Sequence, residues 1–260
     1  MKVHFYKYQA TGNDFVVIDN LAGNLKLSNE EIVRICDRKF GVGADGLMLL
    51  EKHPSANFNL QYFNSDGSQS LCGNGSRAAV KMAAALGLVN GSATFEAFDG
   101  LHDAEIQRDA IKLRMNDVTA VKRIDDDNFF INTGSPHYVR FVKDVRNYPV
   151  FDEGKKIRYS AAYAPGGTNV NFVEALSVNS LFVRTYERGV ENETLSCGTG
   201  VTAAALAASF LGFTSPVKIK ALGGDLMVEF EARQSSEGPA FSNIYLIGPA
   251  KLVFEGDLEL

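Results

Sequence analysis

The sequence of 260 residues contains only three cysteines and no tryptophan. Cys36, Cys72 and Cys197 are far apart, and so few cysteines exclude the disulfide framework of a small secreted protein. They also lack the CxxC spacing of a structural zinc site, and no histidine stands at ligand spacing beside them. We therefore expect three free thiols and no metal.

The sequence also lacks an excess of positive charge and a long hydrophobic run. Its net charge of −5 offers neither a basic patch for nucleic acid nor a polybasic membrane anchor. Residues 1–15 hold no apolar core of signal-peptide length, and the most apolar stretch, residues 201–213, is too short to span a bilayer. These absences predict a cytoplasmic protein with no nucleic-acid or membrane partner.

Two copies of a cysteine–glycine motif indicate an internal repeat. Cys72-Gly-Asn-Gly75 recurs 125 residues later as Cys197-Gly-Thr-Gly200. Further landmarks recur in the same order at offsets of 122 to 125: Thr11-Gly12 and Thr133-Gly134, Gly43 and Gly167, Ala78-Ala79 and Ala203-Ala204, Ala83 and Ala208, Leu86-Gly87 and Leu211-Gly212, Gly100 and Gly224. A period of this length predicts two similarly folded halves rather than a solenoid.

Each half has the same predicted order of elements around its cysteine. The aromatic and β-branched runs Phe58–Phe63 and Ser180–Tyr186 predict strands. Each strand leads to the Cys-Gly-x-Gly turn and then to an alanine-rich helix, which Gly87 or Gly212 closes at the C′ position.

The repeat also predicts where the chain divides. Ala110–Met115 and Leu226–Phe230 predict further strands downstream of the two helices. We place the boundary near Asn116-Asp117, which gives an N-terminal domain over residues 1–116 and a C-terminal domain over residues 117–250. The last segment, residues 251–260, is predicted to return to the first domain.

Cys72 and Cys197 stand just before predicted helix N-termini, where the helix dipole and unpaired amides favour a thiolate. The amides that follow them, in Gly73-Asn74 and Gly198-Thr199, form a ready site for a carboxylate. If the halves face each other through a pseudo-twofold axis, the two sulfurs flank the carbon next to that carboxylate. One thiolate then removes the α-proton and the opposite thiol delivers another. The pattern predicts a cofactor-independent amino-acid racemase or epimerase.

Other interpretations of the cysteines stay open. Cys36, on the apolar side of a predicted helix with Ile32 and Ile35, is interpreted as a buried structural thiol. A redox or binding module would keep the repeat without proton transfer, although the usual redox unit has both cysteines in one CxxC. A thiol protease needs a cysteine–histidine pair, and neither half repeats one.

Five motifs resemble those of the diaminopimelate epimerase family: Gly12-Asn-Asp-Phe15, Phe63-Asn-Ser-Asp-Gly67, Cys72-Gly-Asn-Gly-Ser-Arg77, Tyr186-Glu-Arg-Gly189 and Cys197-Gly-Thr-Gly200. The resemblance implies an α/β (α+β) fold of two pseudo-twofold-related domains. Each is implied to be a mostly antiparallel sheet wrapped around a central helix, with the active site in the cleft between them. It also implies a homodimer that interconverts LL- and meso-diaminopimelate without pyridoxal phosphate or another cofactor, in lysine and peptidoglycan precursor synthesis.

The resemblance further implies roles for individual residues. Cys72 and Cys197 are the implied base and acid. The implied substrate contacts are Asn13, Asn64, Gly73, Asn74, Asn169, Glu187, Arg188, Gly198 and Thr199. His137 and Glu187 are implied to tune the pKa of the cysteines.

Two positions depart from the family pattern. Ser135 stands where the family often has asparagine, and Gly46 stands where it can have glutamine, so their part in substrate binding is open. The alternative function is a proline- or hydroxyproline-type racemase of the same fold. It would share the cysteine pair and differ only in its contacts to the far end of the substrate.

Overall fold

Strand formation in this chain follows from alternating apolar side chains. Along Lys2–Ala10, Val3 and Phe5 are buried while Lys2 and His4 are exposed, and this period of two buries one face of the strand. The computed structural model describes residues 1–235 and 238–260, which form two compact units. Unit 1 comprises residues 1–113 and 248–260, and unit 2 comprises residues 114–247.

The elements are numbered in chain order. The first part of the chain forms β1 (Lys2–Ala10), β2 (Asn13–Asp19), α1 (Asn29–Cys36), β3 (Gly46–Glu51), β4 (Phe58–Asn64), α2 (Gly73–Ala85), β5 (Ser92–Ala97), β6 (Gly100–Ile106) and β7 (Ile111–Arg114). The second part forms β8 (Val121–Arg123), β9 (Asn128–Asn132), β10 (Pro136–Phe141), α3 (Val150–Arg158), a 3-10 turn (Ala161–Tyr163), β11 (Asn169–Ser177), β12 (Ser180–Glu187), β13 (Asn192–Thr194), α4 (Gly198–Ser209), β14 (Val217–Ala221), β15 (Gly224–Ser235) and β16 (Gly238–Gly248). The last strand is β17 (Lys251–Glu259).

The two units carry the same series of strand pairings. In unit 1 the order is β17-β1-β2-β3-β4-β5-β6-β7, in which β2–β3 and β4–β5 are parallel and the other pairs antiparallel. In unit 2 the order is β8-β9-β10-β11-β12-β14-β15-β16, in which β10–β11 and β12–β14 are parallel and the other pairs antiparallel. Unit 2 adds β13, which pairs with β12. Two similarly folded, mostly antiparallel halves are therefore confirmed.

Each sheet packs around one central helix. Helix α2 contacts β1, β2, β3, β4 and β6, and α4 contacts β9, β10, β11, β12, β14 and β15. Residues 200–208 of α4 are all buried, as expected of a helix that is apolar on every side. The small alanine side chains let the sheet approach the helix closely. The two predicted alanine-rich helices are thus confirmed as the centres of their units.

The repeated glycines mark matched turns in the two units. Positive φ angles occur at both members of four repeated glycine pairs, namely Gly12 and Gly134, Gly43 and Gly167, Gly87 and Gly212, Gly100 and Gly224. Only glycine adopts this backbone region without strain. Gly87 and Gly212 close the two helices with the same pair of hydrogen bonds: the N–H groups of Gly87 and Leu88 donate to the carbonyls of Ala84 and Ala83, and those of Gly212 and Phe213 donate to the carbonyls of Ser209 and Ala208. Both predicted C′ glycines are therefore confirmed.

The remaining predicted elements are found close to their predicted bounds. Strands β4 and β12 contain the predicted Phe58–Phe63 and Ser180–Tyr186, while β7 and β15 match the two downstream strands. Cys36 lies in the apolar cluster under α1, and its burial raises the pKa of the thiol to about 11. It is therefore a protonated, buried thiol. Within the described ranges, each helix falls short of the length and apolarity that a membrane span requires.

Gly46 opens β3 at a point where the neighbouring strand leaves no room for a side chain. A Cβ atom there would lie 2.7 Å from the carbonyl oxygen of Phe63 and 2.7 Å from the hydroxyl of Tyr62. The departure from the family pattern at this position is thus accommodated by Tyr62, whose ring fills the space.

We expect Gly46→Ala to lower the free energy of unfolding by about 1–3 kcal/mol, the range for an overpacked site. Gly166→Ala is the matched control, since a Cβ there meets nothing within 4 Å. Urea unfolding of both variants measures the difference. Equal stability of the two would contradict the packing described for β3 and β4.

Candidate active site

Cys72 is the N-cap of α2 and has an extended backbone conformation. Its Sγ accepts a hydrogen bond from the Gly75 backbone N–H at 3.4 Å. Gly73 and Asn74 begin the helix, in the turn whose N–H groups have no intrahelical acceptor. Because the positive end of the helix dipole points the same way, this end of α2 is suited to bind negative charge.

A chain of amide hydrogen bonds holds the residues around Cys72. Asn13 Oδ1 lies 3.5 Å from Cys72 Sγ and accepts from Asn74 Nδ2 at 3.3 Å. Arg77 Nη2 donates to Asn74 Oδ1 at 2.9 Å, and Asn13 Nδ2 donates to Asp45 Oδ2 at 2.6 Å. Arg77 and Asp45 stand at the two ends of this chain. Because one can only donate and the other only accept, they fix the orientation of the two asparagine amides between them. Of the predicted site residues, Asn13 and Asn74 are thus brought to Cys72.

The carboxylates beside Asn13 belong to a separate charge cluster. Lys7 Nζ lies 2.6 Å from Asp14, and Arg38 lies 2.7 Å from both Asp14 and Asp45. Burial alone would raise the pKa of Asp14, but hydrogen bonds from Arg38 and Lys7 lower it to about 2. Asp14 is therefore ionised and matched by nearby cations.

Asn64 has a local role in the turn after β4. Its Nδ2 donates to Ser68 Oγ at 3.0 Å, and its Oδ1 accepts from Ser70 Oγ at 3.2 Å. Both ends of the amide are thus used within the turn. Its predicted contact with substrate stays a prediction.

Cys197 is the N-cap of α4, also in an extended conformation. Its Sγ lies 3.5 Å from the Thr199 hydroxyl. Gly198 and Thr199 begin this helix as Gly73 and Asn74 begin α2. A Cβ at Gly200 would overlap Asn171 Oδ1, so glycine is needed here for β11 to reach the start of the helix.

His137, on β10, is fully buried and its hydrogen bonds define its tautomer. Nδ1 accepts from Asn171 Nδ2 at 3.0 Å, and the Asn171 amide is oriented because its Oδ1 accepts from Thr185 Oγ1 at 2.9 Å. The proton is therefore on Nε2, which lies 2.9 Å from Thr199 Oγ1 and 3.0 Å from Ser135 Oγ.

The imidazole of His137 is neutral. Burial, and to a smaller extent the positive charge of Arg188, lowers its pKa to about 3. When Nε2–H donates to Thr199 Oγ1, the Thr199 hydroxyl can direct its own proton to Cys197 Sγ. The chain of hydrogen bonds from His137 through Thr199 can thus stabilise a thiolate without adding a charge.

Asn169 joins Ser135 and Arg188 to this cluster. Its Nδ2 donates to Ser135 Oγ at 3.2 Å, and its Oδ1 accepts from the Arg188 backbone N–H at 2.8 Å. Glu187 accepts a hydrogen bond from the Thr194 hydroxyl at 2.8 Å. Ser135, a departure from the family pattern, therefore lies among the predicted site residues of unit 2.

The Arg188 side chain is available for an anion. Its Nη1 lies 3.4 Å from the Gly166 carbonyl oxygen, and it pairs with no carboxylate among the described residues. By contrast, nearby Arg158 is held by Glu191 at 3.0 Å. A half-buried guanidinium without a carboxylate suits recognition of a carboxylate ligand.

Three polar residues of these clusters are not among the site residues that the sequence predicts: Asp45, Arg77 and Asn171. Arg77 stands within the Cys72 motif, but nothing in the sequence indicates that its side chain is buried. Asn171 lies two residues after Asn169, and the period of two along a strand places both on one face. Asp45 carries no sequence signal, because its contact with Asn13 joins segments 32 residues apart.

The sequence is similar to known proteins along most of its length. The family model for diaminopimelate epimerase matches residues 5–121 and 129–253. The chain belongs to the diaminopimelate epimerase family. Diaminopimelate epimerase from Flavobacterium psychrophilum is 49% identical over 255 residues, covering 96% of this chain and 98% of the relative. The one from Chlorobaculum tepidum is 40% identical over 260 residues, with the same coverage. The family resemblance and the assignment to the isomerases are thereby confirmed.

Solved structures support the fold class of this family member. A phenazine biosynthesis protein of the PhzF family from Bacillus anthracis matches with a TM-score of 0.77 at 17% identity and covers 100% of both chains. A probable proline racemase from Agrobacterium radiobacter matches with a TM-score of 0.68 at 15% identity, covering 99% of this chain and 93% of that one. At these identities the likeness concerns the fold alone.

The neutral state of His137 predicts a loss of stability in acid. Its pKa of about 3 in the folded protein lies below the ordinary value of 6.5, so the unfolded chain binds the extra proton. The stability it contributes is complete above about pH 6.5 and is lost as the pH falls toward 3, at up to about 1.4 kcal/mol per pH unit.

We expect His137→Gln to remove this part of the pH dependence, measured as the free energy of urea unfolding between pH 6.5 and 4. Val178→Gln, at a side chain that is 92% exposed and has no titratable group, should keep the wild-type slope. A His137→Gln variant with an unchanged slope would mean that His137 is not held neutral in the folded protein.

Proposed function

We propose that this protein is a diaminopimelate epimerase, which interconverts LL-2,6-diaminopimelate and meso-2,6-diaminopimelate in lysine and peptidoglycan precursor synthesis. The observation that carries the proposal is a pair of cysteine-capped central helices in a chain of that family. Cys72 and Cys197 supply both the base and the acid, so the proposal includes no cofactor.

The proposed reaction is a transfer of two protons at one carbon. The thiolate of one cysteine takes the α-proton and becomes a thiol. The electron pair left behind moves into the adjacent carboxylate, and the thiol of the other cysteine gives its proton to the opposite face of the carbon. The two cysteines have then exchanged protonation states, so their roles reverse with the direction of the reaction.

The helix N-termini stabilise the charge that develops in this reaction. We assign the carboxylate at the reacting carbon to the amides of Gly73, Asn74, Gly198 and Thr199. Negative charge grows on that carboxylate as the α-proton leaves, and amide donors already in place stabilise it without reorganisation. The hydrogen-bonded amides of Asn13 and Asn74 support this assignment, because they hold the first turn of α2 in position.

Arg188 is proposed to bind the far end of diaminopimelate. The second amino-acid head carries a carboxylate, and a guanidinium can bind it with two parallel hydrogen bonds. The Asn169 side chain accepts a hydrogen bond from the Arg188 backbone N–H and so holds Arg188 in position. Asn64 is proposed as a further contact with the substrate. His137 acts on Cys197 through Thr199, and Glu187 is proposed to share this tuning role.

We also propose that the protein works as a cytoplasmic homodimer. Free thiols fit the reducing cytoplasm. Strand β17 pairs along one edge with β1, and its side chains Leu252, Val253 and Phe254 are each about half exposed. Apolar side chains on an edge strand are typical of an interface, which supports the dimer.

The alternative is a proline- or hydroxyproline-type racemase, which would use the same pair of cysteines. Identity favours the first proposal, because named diaminopimelate epimerases reach 49% whereas the proline racemase is 15% identical. A redox or binding module would not explain two features. Arg188 pairs with no carboxylate among the described residues, and hydrogen bonds connect His137 through Thr199 to Cys197.

We expect Cys72→Ala and Cys197→Ala each to lower kcat for LL-diaminopimelate by at least about 10²–10⁴-fold, the usual contribution of one positioned proton-transfer group. Chromatographic separation of the LL and meso isomers measures the turnover. Cys36→Ala is the control and should keep near-wild-type turnover. Near-normal turnover in either of the other two variants would remove that cysteine from the pair.

The Arg188 assignment predicts a strict requirement for the distal carboxylate. Lysine lacks it, and sites built to bind a group reject analogues without that group by about 10⁴–10⁵-fold. We expect kcat/KM for lysine and proline to be lower than for LL-diaminopimelate by about this factor. Arg188→Lys should weaken diaminopimelate turnover, whereas Arg108→Lys, at a side chain 96% exposed, should not. A preference for proline would favour the alternative racemase.

A further inference from the structure

Arg77 is a buried cation without an anion. Its side chain is fully buried in α2, the central helix of unit 1. Nη2 donates to Thr11 Oγ1 at 3.2 Å and to Asn74 Oδ1 at 2.9 Å, but Nε and Nη1 have no hydrogen-bond partner. Among the described residues, no carboxylate forms an ion pair with this guanidinium.

Such an arrangement is energetically unfavourable unless a negative charge forms nearby. A buried charge is normally paired, because removing it from water is costly. Burial lowers the pKa of Arg77 to about 10, and a negative charge on Cys72 acts in the opposite direction. At neutral pH the guanidinium stays charged, with the thiol of Cys72 as the ionisable group that can balance it.

The hydrogen bonds connect Arg77 directly to the environment of Cys72. Arg77 binds Asn74, Asn74 binds Asn13, and Asn13 Oδ1 lies against Cys72 Sγ. Contact with that oxygen favours the thiol form of Cys72, whereas the Gly75 N–H favours the thiolate. A positive charge in the same helix acts in the same direction as the Gly75 N–H and favours the thiolate.

The other charged groups around α2 do not supply this charge. Lys7, Asp14, Arg38 and Asp45 form the separate cluster in which cations and carboxylates are matched. Tyr62, on β4, packs beside the first turn of the helix and brings a phenol rather than a cation. Arg77 is thus left as the uncompensated charge beside Cys72.

The second repeat lacks this arginine. Five residues after Cys197, the position that corresponds to Arg77 holds Thr202, whose buried hydroxyl donates to the Gly198 carbonyl oxygen at 2.9 Å. The buried histidine of that unit, His137, is neutral. The two cysteine-capped helices therefore have the same backbone but a different local charge.

We propose that Arg77 is the counter-charge of the Cys72 thiolate, a positioning residue that makes Cys72 the deprotonated cysteine of the resting protein. The catalytic meaning of this asymmetry rests on the proposed function, since a two-cysteine epimerase needs one thiolate and one thiol at a time. For the isomer whose α-proton faces Cys72, the enzyme then starts in the reactive protonation state.

The test is the pH dependence of Cys72 alkylation in the full-length protein without substrate. Iodoacetamide reacts with thiolates, and mass spectrometry quantifies the modified Cys72 peptide from pH 5 to 10. Arg77→Met should raise the midpoint of that profile by about 1 pH unit, the lower end of the range for a nearby opposite charge, because Arg77 is connected to Cys72 through Asn74 and Asn13. Arg77→Lys should shift it less, because the charge is kept. Lys81→Met removes a cation from the same helix one turn later and should leave the midpoint unchanged.

A second variant guards against misfolding of Arg77→Met. Arg77→Gln keeps hydrogen-bond donors toward Thr11 and Asn74 but removes the charge. The midpoint of Cys72 alkylation should therefore be higher in Arg77→Gln than in the wild-type protein, and also higher than in Arg77→Lys. Circular dichroism and thermal unfolding check each variant. An unchanged midpoint in folded Arg77→Met or Arg77→Gln would overturn the proposal, and so would an equal shift in Lys81→Met.

The same variants separate this inference from the proposed function. With LL-diaminopimelate, Arg77→Met should lower kcat at neutral pH with little change in KM, and its activity should recover as the pH rises. The alkylation midpoint could rise in the Arg77 variants while the wild-type protein fails to turn over diaminopimelate. That result would contradict the proposed function and leave the role of Arg77 intact.

Discussion

A cysteine at the N-terminus of a buried helix is the constraint on which the rest of the structure depends. The sheet surrounds each central helix, and the N–H groups of its first turn have no acceptor within the helix, so this end is suited to bind an anion. Alanines keep the helix narrow, and Gly75 and Gly200 leave room for side chains of the neighbouring strands at its start. If either helix began one residue earlier or later, the sulfur would leave the cap position, and the relation between thiol and amides would be lost.

The two units achieve this arrangement on one backbone plan but surround it with different side chains. Cys72 has an amide chain that ends in a buried guanidinium, and Cys197 has a hydroxyl and a neutral imidazole. A reaction that moves one proton in and another out requires two groups in opposite protonation states. Duplication supplies the matched backbones, and later divergence at positions such as Arg77 and Thr202 supplies the difference in charge.

Local signals in the sequence were sufficient for much of the fold. Alanine-rich runs, repeated glycines and the offset near 125 predicted both central helices and the similarity of the halves. The strand order was beyond such reasoning, because pairings such as β2 with β3 join segments that no local pattern relates. The glycines that close the two helices were also predictable, because the turn after each helix needs a positive φ that glycine adopts without strain.

For the candidate site, the motifs identified the cysteines and their amides, while the partners came only from the structure. Asp45, Asn171 and the burial of Arg77 depend on contacts between distant segments. Gly46 illustrates the same limit, because its departure from the family pattern has a physical reason only when Tyr62 is seen to fill the space.

The central claim, proton exchange between two cysteines, is tested most directly by proton NMR of LL-diaminopimelate with the wild-type protein in D₂O. The thiols exchange their protons with solvent, so the account predicts that newly formed meso-diaminopimelate carries deuterium at the inverted carbon. Early in the reaction, unreacted LL-diaminopimelate should keep its α-proton signal, because the base and the acid act on opposite faces. Formation of meso product with its α-proton retained, or exchange of LL-diaminopimelate before any meso product forms, would contradict the account.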